Sequence, residues 1–153
     1  MGCDIHLVLE RRHRDKWIAV DTFTGHHRAR WALKKGEYNW SPPLASDRNY
    51  DRFAKLAGVR GDGPEPRGVP PDASETTQYM VERWGEDGHS HSWLPLAEAV
   101  KIWAETEFGD SEPTDSMGKH NRQYPTSYFF GVDIPEGSGE SIDDYRLVFW
   151  FDN

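Results

Sequence analysis

The chain has 153 residues, with 18 Lys or Arg, 26 Asp or Glu and a net charge of −8, a length that suits one domain, 1–153, around one hydrophobic core. Its strictly apolar fraction is 36%, but 13% of the residues are aromatic and seven are tryptophan, so a core built from rings is expected and disorder throughout is excluded. No apolar run approaches the ~20 residues of a membrane helix and no charged-then-apolar secretion signal stands at the start, so a cytoplasmic protein without a membrane partner is expected.

Ile5, Leu7 and Leu9 alternate with His6, Val8 and Glu10, and residues 17 to 23 form a second extended run after a charged turn. This predicts a strand pair. Asp4 and His6 then share one face, and Cys3, the single cysteine, falls on the other as a small buried thiol. One cysteine excludes an internal disulfide and a Cys-rich zinc framework. Met1-Gly2-Cys3 has the form of an acylation site, but the pattern asks for Ser or Thr at the sixth position, where His6 stands.

Residues 11 to 35 carry Arg11, Arg12, Arg14, Lys16, Arg28, Arg30, Lys34 and Lys35 against Asp15 and Asp21, a local charge of +6 that leaves the remainder at −14. So acidic a remainder disfavours duplex nucleic acid as a partner, because such binding needs many simultaneous phosphate contacts. A small phosphorylated ligand suits the local patch; a solvated hairpin surface accounts for it equally well. Gly25, Gly36, Pro42 and Pro43 break every periodic pattern between 24 and 46, which predicts a long loop or insertion. Asp47 is then placed to cap a short helix with Tyr50, Phe53, Ala54 and Ala57 on one stripe and Gly58 at its end. Residues 58 to 72 hold too many Gly and Pro for a regular element, and their glycines lack the lysine and the strand-to-helix setting of a phosphate loop.

Ser74 precedes a helix over Glu75 to Trp84, with Tyr79, Met80 and Trp84 inward. Pro95 fits the first turn of a second helix, which Leu96, Ala99, Val100 and Trp103 carry to about Phe108. Ser127 to Ile134 and Tyr145 to Phe151 are aromatic and β-branched enough to be strands, the last one apolar on both faces and hence central. The expected fold is α+β: an antiparallel sheet of about four strands, made from the N-terminal pair, 127–134 and the C-terminal strand, with two or three helices on one face and long loops.

Asp87, His89 and His91 alternate as Asp4 and His6 do. In an extended segment such residues leave one face, so the two pieces can converge on a divalent transition metal, Zn or Mn. In that reading Asp4, His6, His89 and His91 hold the ion, and Asp87 orients a ligand or acts as base. Arg48, Asn49, Tyr50 and Arg60 meet a phosphate-bearing ligand. The competing reading takes Gly88, Ser90 and Ser92 as a turn leading into a helix, with the imidazoles hydrogen-bonded or solvated. Two-histidine phosphodiesterases are excluded on letters, since His89-Ser90-His91-Ser92 lacks their apolar positions.

Four stretches carry a resemblance: Met1-Gly2-Cys3-Asp4-Ile5-His6, Arg48-Asn49-Tyr50 with Phe53 to Arg60, Asp87 to Leu94, and Val148-Phe149-Trp150-Phe151-Asp152. Together they resemble an uncharacterised family of short bacteriophage-associated proteins. That implies a phage or prophage origin and work inside a bacterial cell, and it implies no activity, cofactor or fold. The expected function, from the residues, is a metal-dependent hydrolase acting on a phosphate-containing small molecule such as a nucleotide or nucleotide signal. The alternative is a non-catalytic phage accessory protein that binds a nucleotide ligand or a host protein.

Overall fold

The computed structural model describes residues 2–21, 28–29, 48–108, 130, 139 and 141–152. Five antiparallel strands are hydrogen-bonded in the order β3-β2-β1-β5-β4. They are β1 (Asp4–His13), β2 (Lys16–Asp21), β3 (Arg28–Ala29), β4 (Gly88–Pro95) and β5 (Tyr145–Asp152), β3 being a two-residue extension of a four-stranded sheet. Three α-helices accompany them: α1 (Tyr50–Ala57), α2 (Glu75–Trp84) and α3 (Leu96–Phe108). The fold is α+β, as the residue patterns imply.

The N-terminal pair closes through a two-residue turn, Arg14-Asp15, with His13 opposite Lys16 and Arg14 at φ 57. β5 lies between β1 and β4 and is buried from Tyr145 to Phe151. This is the physical meaning of its two apolar faces.

On one face Ile5, Leu7, Leu9, Leu147, Phe149 and Phe151 meet α1 and α3 through Phe53, Leu56, Leu96, Ala99 and Trp103. The rings interlock edge to face, Phe53 with Phe151 at 5.0 Å and Trp103 with Phe130 at 5.2 Å. Two helices on one face match the expectation. The third, α2, covers the opposite face, where Val8, Ala19 and Trp150 pack against Met80, Val81 and Trp84. Both faces of β1 are therefore buried.

Asn49 caps α1 by accepting from the Arg52 backbone N–H, and Gly58 ends it in the left-handed region at φ 66. Asp47, the cap expected from the sequence, lies outside the described residues. The buried stripe is Arg52, Phe53, Leu56 and Ala57, with Tyr50 exposed instead. Arg52 is buried because its guanidinium serves α3: Nε donates to Thr106 Oγ1 at 2.8 Å and the group lies 4.9 Å from the Trp103 ring. Close passage of the 58–72 loop needs Gly63, where a Cβ would stand 1.8 Å from the Ala54 carbonyl oxygen.

Among the described residues the fourth strand of the sheet is β4, a segment whose residue types suggest a turn. Of residues 127–134 only Phe130 is described, and it is helical. β4 takes the place, although Gly88, Ser90 and Ser92 are poor strand formers, because it pairs along the buried β5 from Gly88↔Asp152 to Pro95↔Arg146. Pro95 is the last strand residue and α3 begins at Leu96. The 24–46 loop, apart from the pair in β3, lies outside the described residues, as do Arg30, Lys34 and Lys35 of the basic patch.

A buried ion pair fastens the α2 face. Glu10 is fully buried, and its Oε1 accepts from Arg146 Nε at 2.6 Å while Oε2 accepts from the Ser74 backbone and the Thr77 hydroxyl, both at 2.7 Å. Arg146 also donates to Asp72 at 2.9 Å and lies 4.0 Å from the Trp17 ring centre. Both oxygens of Glu10 are thus engaged, one by the Arg146 guanidinium of β5 and the other by Ser74 and Thr77 at the start of α2, which is how a buried carboxylate is tolerated.

Candidate functional site

β1 begins where β5 ends, so their pairing sets Asp4 opposite Asp152 and His6 opposite Trp150. Asp152 is the residue that holds this end together. Its Oδ1 accepts from the Asp4 backbone N–H at 3.2 Å, and its Oδ2 lies 3.0 Å from His6 Nε2. A carboxylate in that position fixes the ring orientation of an imidazole and leaves Nδ1 as the second ring nitrogen.

Asp4 is held by Arg48 through both oxygens, from Nε and, at 3.1 Å, from Nη2. That bond, more than any other influence, holds the Asp4 carboxyl below the usual carboxylate range and the Arg48 group above its ordinary value. Arg60 approaches from the far end of α1. It hydrogen-bonds the Cys3 thiol and lies 5.4 Å from the Tyr50 ring, while the Cys3 backbone N–H donates to Tyr50 Oη at 3.4 Å. Burial pushes the Cys3 thiol up, partly offset by Arg60, so it is a protonated packing group rather than a thiolate. Tyr50 is 39% exposed, the one large apolar ring so exposed among the described residues.

Of the residues expected to bind ligand, Arg48, Tyr50 and Arg60 thus gather at the Gly2 to Asp4 end of the sheet. Asn49 is the helix cap. Asp87, the expected base, is exposed in a 3-10 turn, Gly85–Asp87, that leads into β4.

The metal set is not gathered in the same way. His89 stands opposite Phe151, with ring centres 6.2 Å apart, but a bulge interrupts the pairing between His89 and Ser92, and Ser90 adopts φ 54. The extra residue reverses the alternation. His91 therefore packs on Trp150, 6.1 Å away, on the other face of the sheet. His6 lies 5.8 Å from the same ring, from the opposite side strand. β1 and β4 are two strand spacings apart, roughly 9.5 Å, with Trp150 between the imidazoles. Among the described residues no group of three or more His, Cys, Asp or Glu side chains is arranged to share an ion. Burial, and then His89, lowers the pKa of His91, so its neutral form is favoured.

The residue patterns do not single out Asp152 or Trp150 for this end, and they give Trp84 as an inward residue of its helix. Trp84, the last residue of α2, lies 4.1 Å from His6 between ring centres. The available signal was Trp150-Phe151-Asp152, where a carboxylate two residues beyond a tryptophan must share its face if the strand continues.

Arginines flanking α1, a carboxylate-oriented imidazole and the Trp84 and Trp150 rings beside it are groups that can attract an anion and accept a proton. No protein-family model, curated protein or solved structure matches this chain, so a functional assignment rests on this geometry alone.

Proposed function

We propose that this chain binds a phosphate-bearing small molecule at the end of the sheet formed by Gly2 to His6 and Asp152. The observation that carries the reading is the convergence of Arg48 and Arg60, from opposite ends of α1, on that short stretch of β1. Guanidinium groups are the strongest side-chain partners of phosphate, and Arg48 is already oriented by Asp4 in the two-point manner a phosphate would use. Titration calorimetry with inorganic phosphate, pyrophosphate and nucleoside mono- and triphosphates tests it. Arg48→Ala and Arg60→Ala are each expected to weaken binding about tenfold or more, the scale of one charge-assisted hydrogen bond. Unchanged affinity in both variants refutes the site.

Turnover of the ligand is a second reading, favoured by the His6–Asp152 pair. An imidazole fixed by a carboxylate is suited to take a proton from an attacking water. A Zn or Mn ion on His6 and Asp4 would replace that role rather than add to it, supplying the nucleophile as a bound water, and it requires that Arg48 leave Asp4 for the phosphate. Elemental analysis of untagged protein, with and without supplied metal, checks for the ion. Loss of phosphate release on His6→Gln, with binding retained, checks for the proton acceptor.

A further inference from the structure

Trp84 starts beside the edge strand β4 and ends on β1, two strands in. Its Cβ stands 3.4 Å from where a Cβ on Gly88 of β4 would be, while its ring lies 4.1 Å from His6 on β1. β5 runs between those strands, so the side chain crosses over Trp150. Beneath it lie two polar atoms that have no hydrogen-bond partner and are closed off from solvent: Nε1 of Trp150, a residue with 0% exposure, and Nε2 of His91. Both are packed close to Gly88, where even a Cβ would be tight. A Cβ there would be 3.2 Å from Trp150 Cδ1, the atom bonded to Nε1, and 3.4 Å from His91 Nε2.

Leaving two buried polar atoms unpaired is costly, and apolar residues of similar shape would avoid the cost. The covered state therefore leaves a demand for hydrogen bonds at these two atoms. Trp84 is also the last residue of α2, so the cover is removed by turning its own side chain, with the body of the helix left in place. We propose that Trp84 is a displaceable cover, and that a planar heterocycle takes its place on His6 and directs a polar edge at Trp150 Nε1 and His91 Nε2.

The chemistry of that edge is restricted. The indole N–H only donates, so the ligand must present an acceptor to it, and the second nitrogen takes a donor or an acceptor according to its tautomer. Adjacent acceptor and donor groups on the rim of a flat ring are the character of a nucleobase. This inference rests on the phosphate-binding reading for the rest of the ligand. Asp4, which holds Arg48, precedes His6 by two residues on the same face, roughly 7 Å along the strand. That spacing suits the base and the phosphate of one nucleotide.

The test uses adenosine, guanosine, cytidine and uridine, which lack phosphate, with the Trp150 indole N–H resonance observed by NMR in the full chain. At least one nucleoside is expected to shift that resonance. Trp84→Ala is expected to bind it about tenfold more tightly, because the cost of removing the cover is gone. His91→Leu is expected to lose the nucleoside effect and yet to melt at a higher temperature than the parent. Should Trp84→Ala fail to fold, titration of the parent chain decides alone. Absence of any nucleoside effect on the Trp150 resonance at millimolar concentration, in the parent and in Trp84→Ala, overturns the inference. If phosphate still binds in that case, the anion site stands without a base pocket. If nucleosides bind but their monophosphates bind no better, the base pocket stands and the phosphate reading falls.

Discussion

Replacing Arg146 by Met tests the largest electrostatic commitment in the fold. The substitution keeps much of the volume beneath Trp17 but strands the Glu10 carboxylate at 0% exposure, where it retains only the Ser74 N–H and the Thr77 hydroxyl. Removing one partner of a buried ion pair costs ~3–5 kcal/mol, and the two surviving bonds put this case near the lower end, ~3 kcal/mol. For a domain of this size each kcal/mol moves the midpoint by ~2–4 °C, so a drop of ~6–12 °C is expected. Asp72 contacts the same guanidinium but is 65% exposed, and Asp72→Asn should cost only ~0–1 kcal/mol. The double replacement Glu10→Leu with Arg146→Met removes both buried charges and should recover at least half of the single-variant loss. Urea unfolding with the slope m monitored gives the free energies. A loss for Arg146→Met no larger than that for Asp72→Asn, or a double variant as unstable as the two single losses added, refutes the argument.

Three further outcomes are expected. The folded pKa of His91 is lowered, so the unfolded chain binds more protons; its contribution to stability is complete above the unfolded value of ~6.5 and is lost as pH falls through the folded value. His91→Leu should flatten the stability profile below about pH 6.5, and melting curves across pH 5 to 8 that keep the parent's slope would contradict this. Asn49→Ala should cost ~1 kcal/mol through the lost cap of α1 while leaving phosphate affinity within about twofold, since its side-chain oxygen is engaged by the Arg52 backbone N–H. Arg52→Met should cost ~1–3 kcal/mol by removing the tie from α1 to Thr106 and the packing on Trp103, measured by urea unfolding; a change under about 0.5 kcal/mol would show that the two helices do not depend on it.

How far the chain is legible depends on whether an element is specified by its own residues. β1 and β5 are readable because alternation or continuous apolarity encodes the faces they bury, and α2 and α3 are readable because the Ser74 cap of the one and the apolar periodicity of the other are local. β4 is not, since Gly88, Ser90 and Ser92 carry no strand preference and the segment is extended only because β5 offers a complete ladder. Arg52 and Arg146 carry no local sign of burial and are buried at 1% and 4%, because Thr106, 54 residues away, accepts a hydrogen bond from Arg52 and Glu10, 136 residues away, neutralises Arg146. No local pattern encodes such partners.

The candidate site divides in the same way. Alternation along β1 determined that Asp4 and His6 share a face, and the residue types around α1 pointed to Arg48, Tyr50 and Arg60 as its neighbours. The tertiary structure decided the rest: Asp152 reaches His6 across 146 residues of chain through β-ladder register, and Trp84 reaches it by the docking of α2. For His89 and His91 the period of two was a sound local rule overruled by one extra residue. The bulge at Ser90 sends the imidazoles to opposite faces, because pairing with β5 resumes at Ser92↔Phe149, and a strand held at both ends must absorb its surplus residue between them.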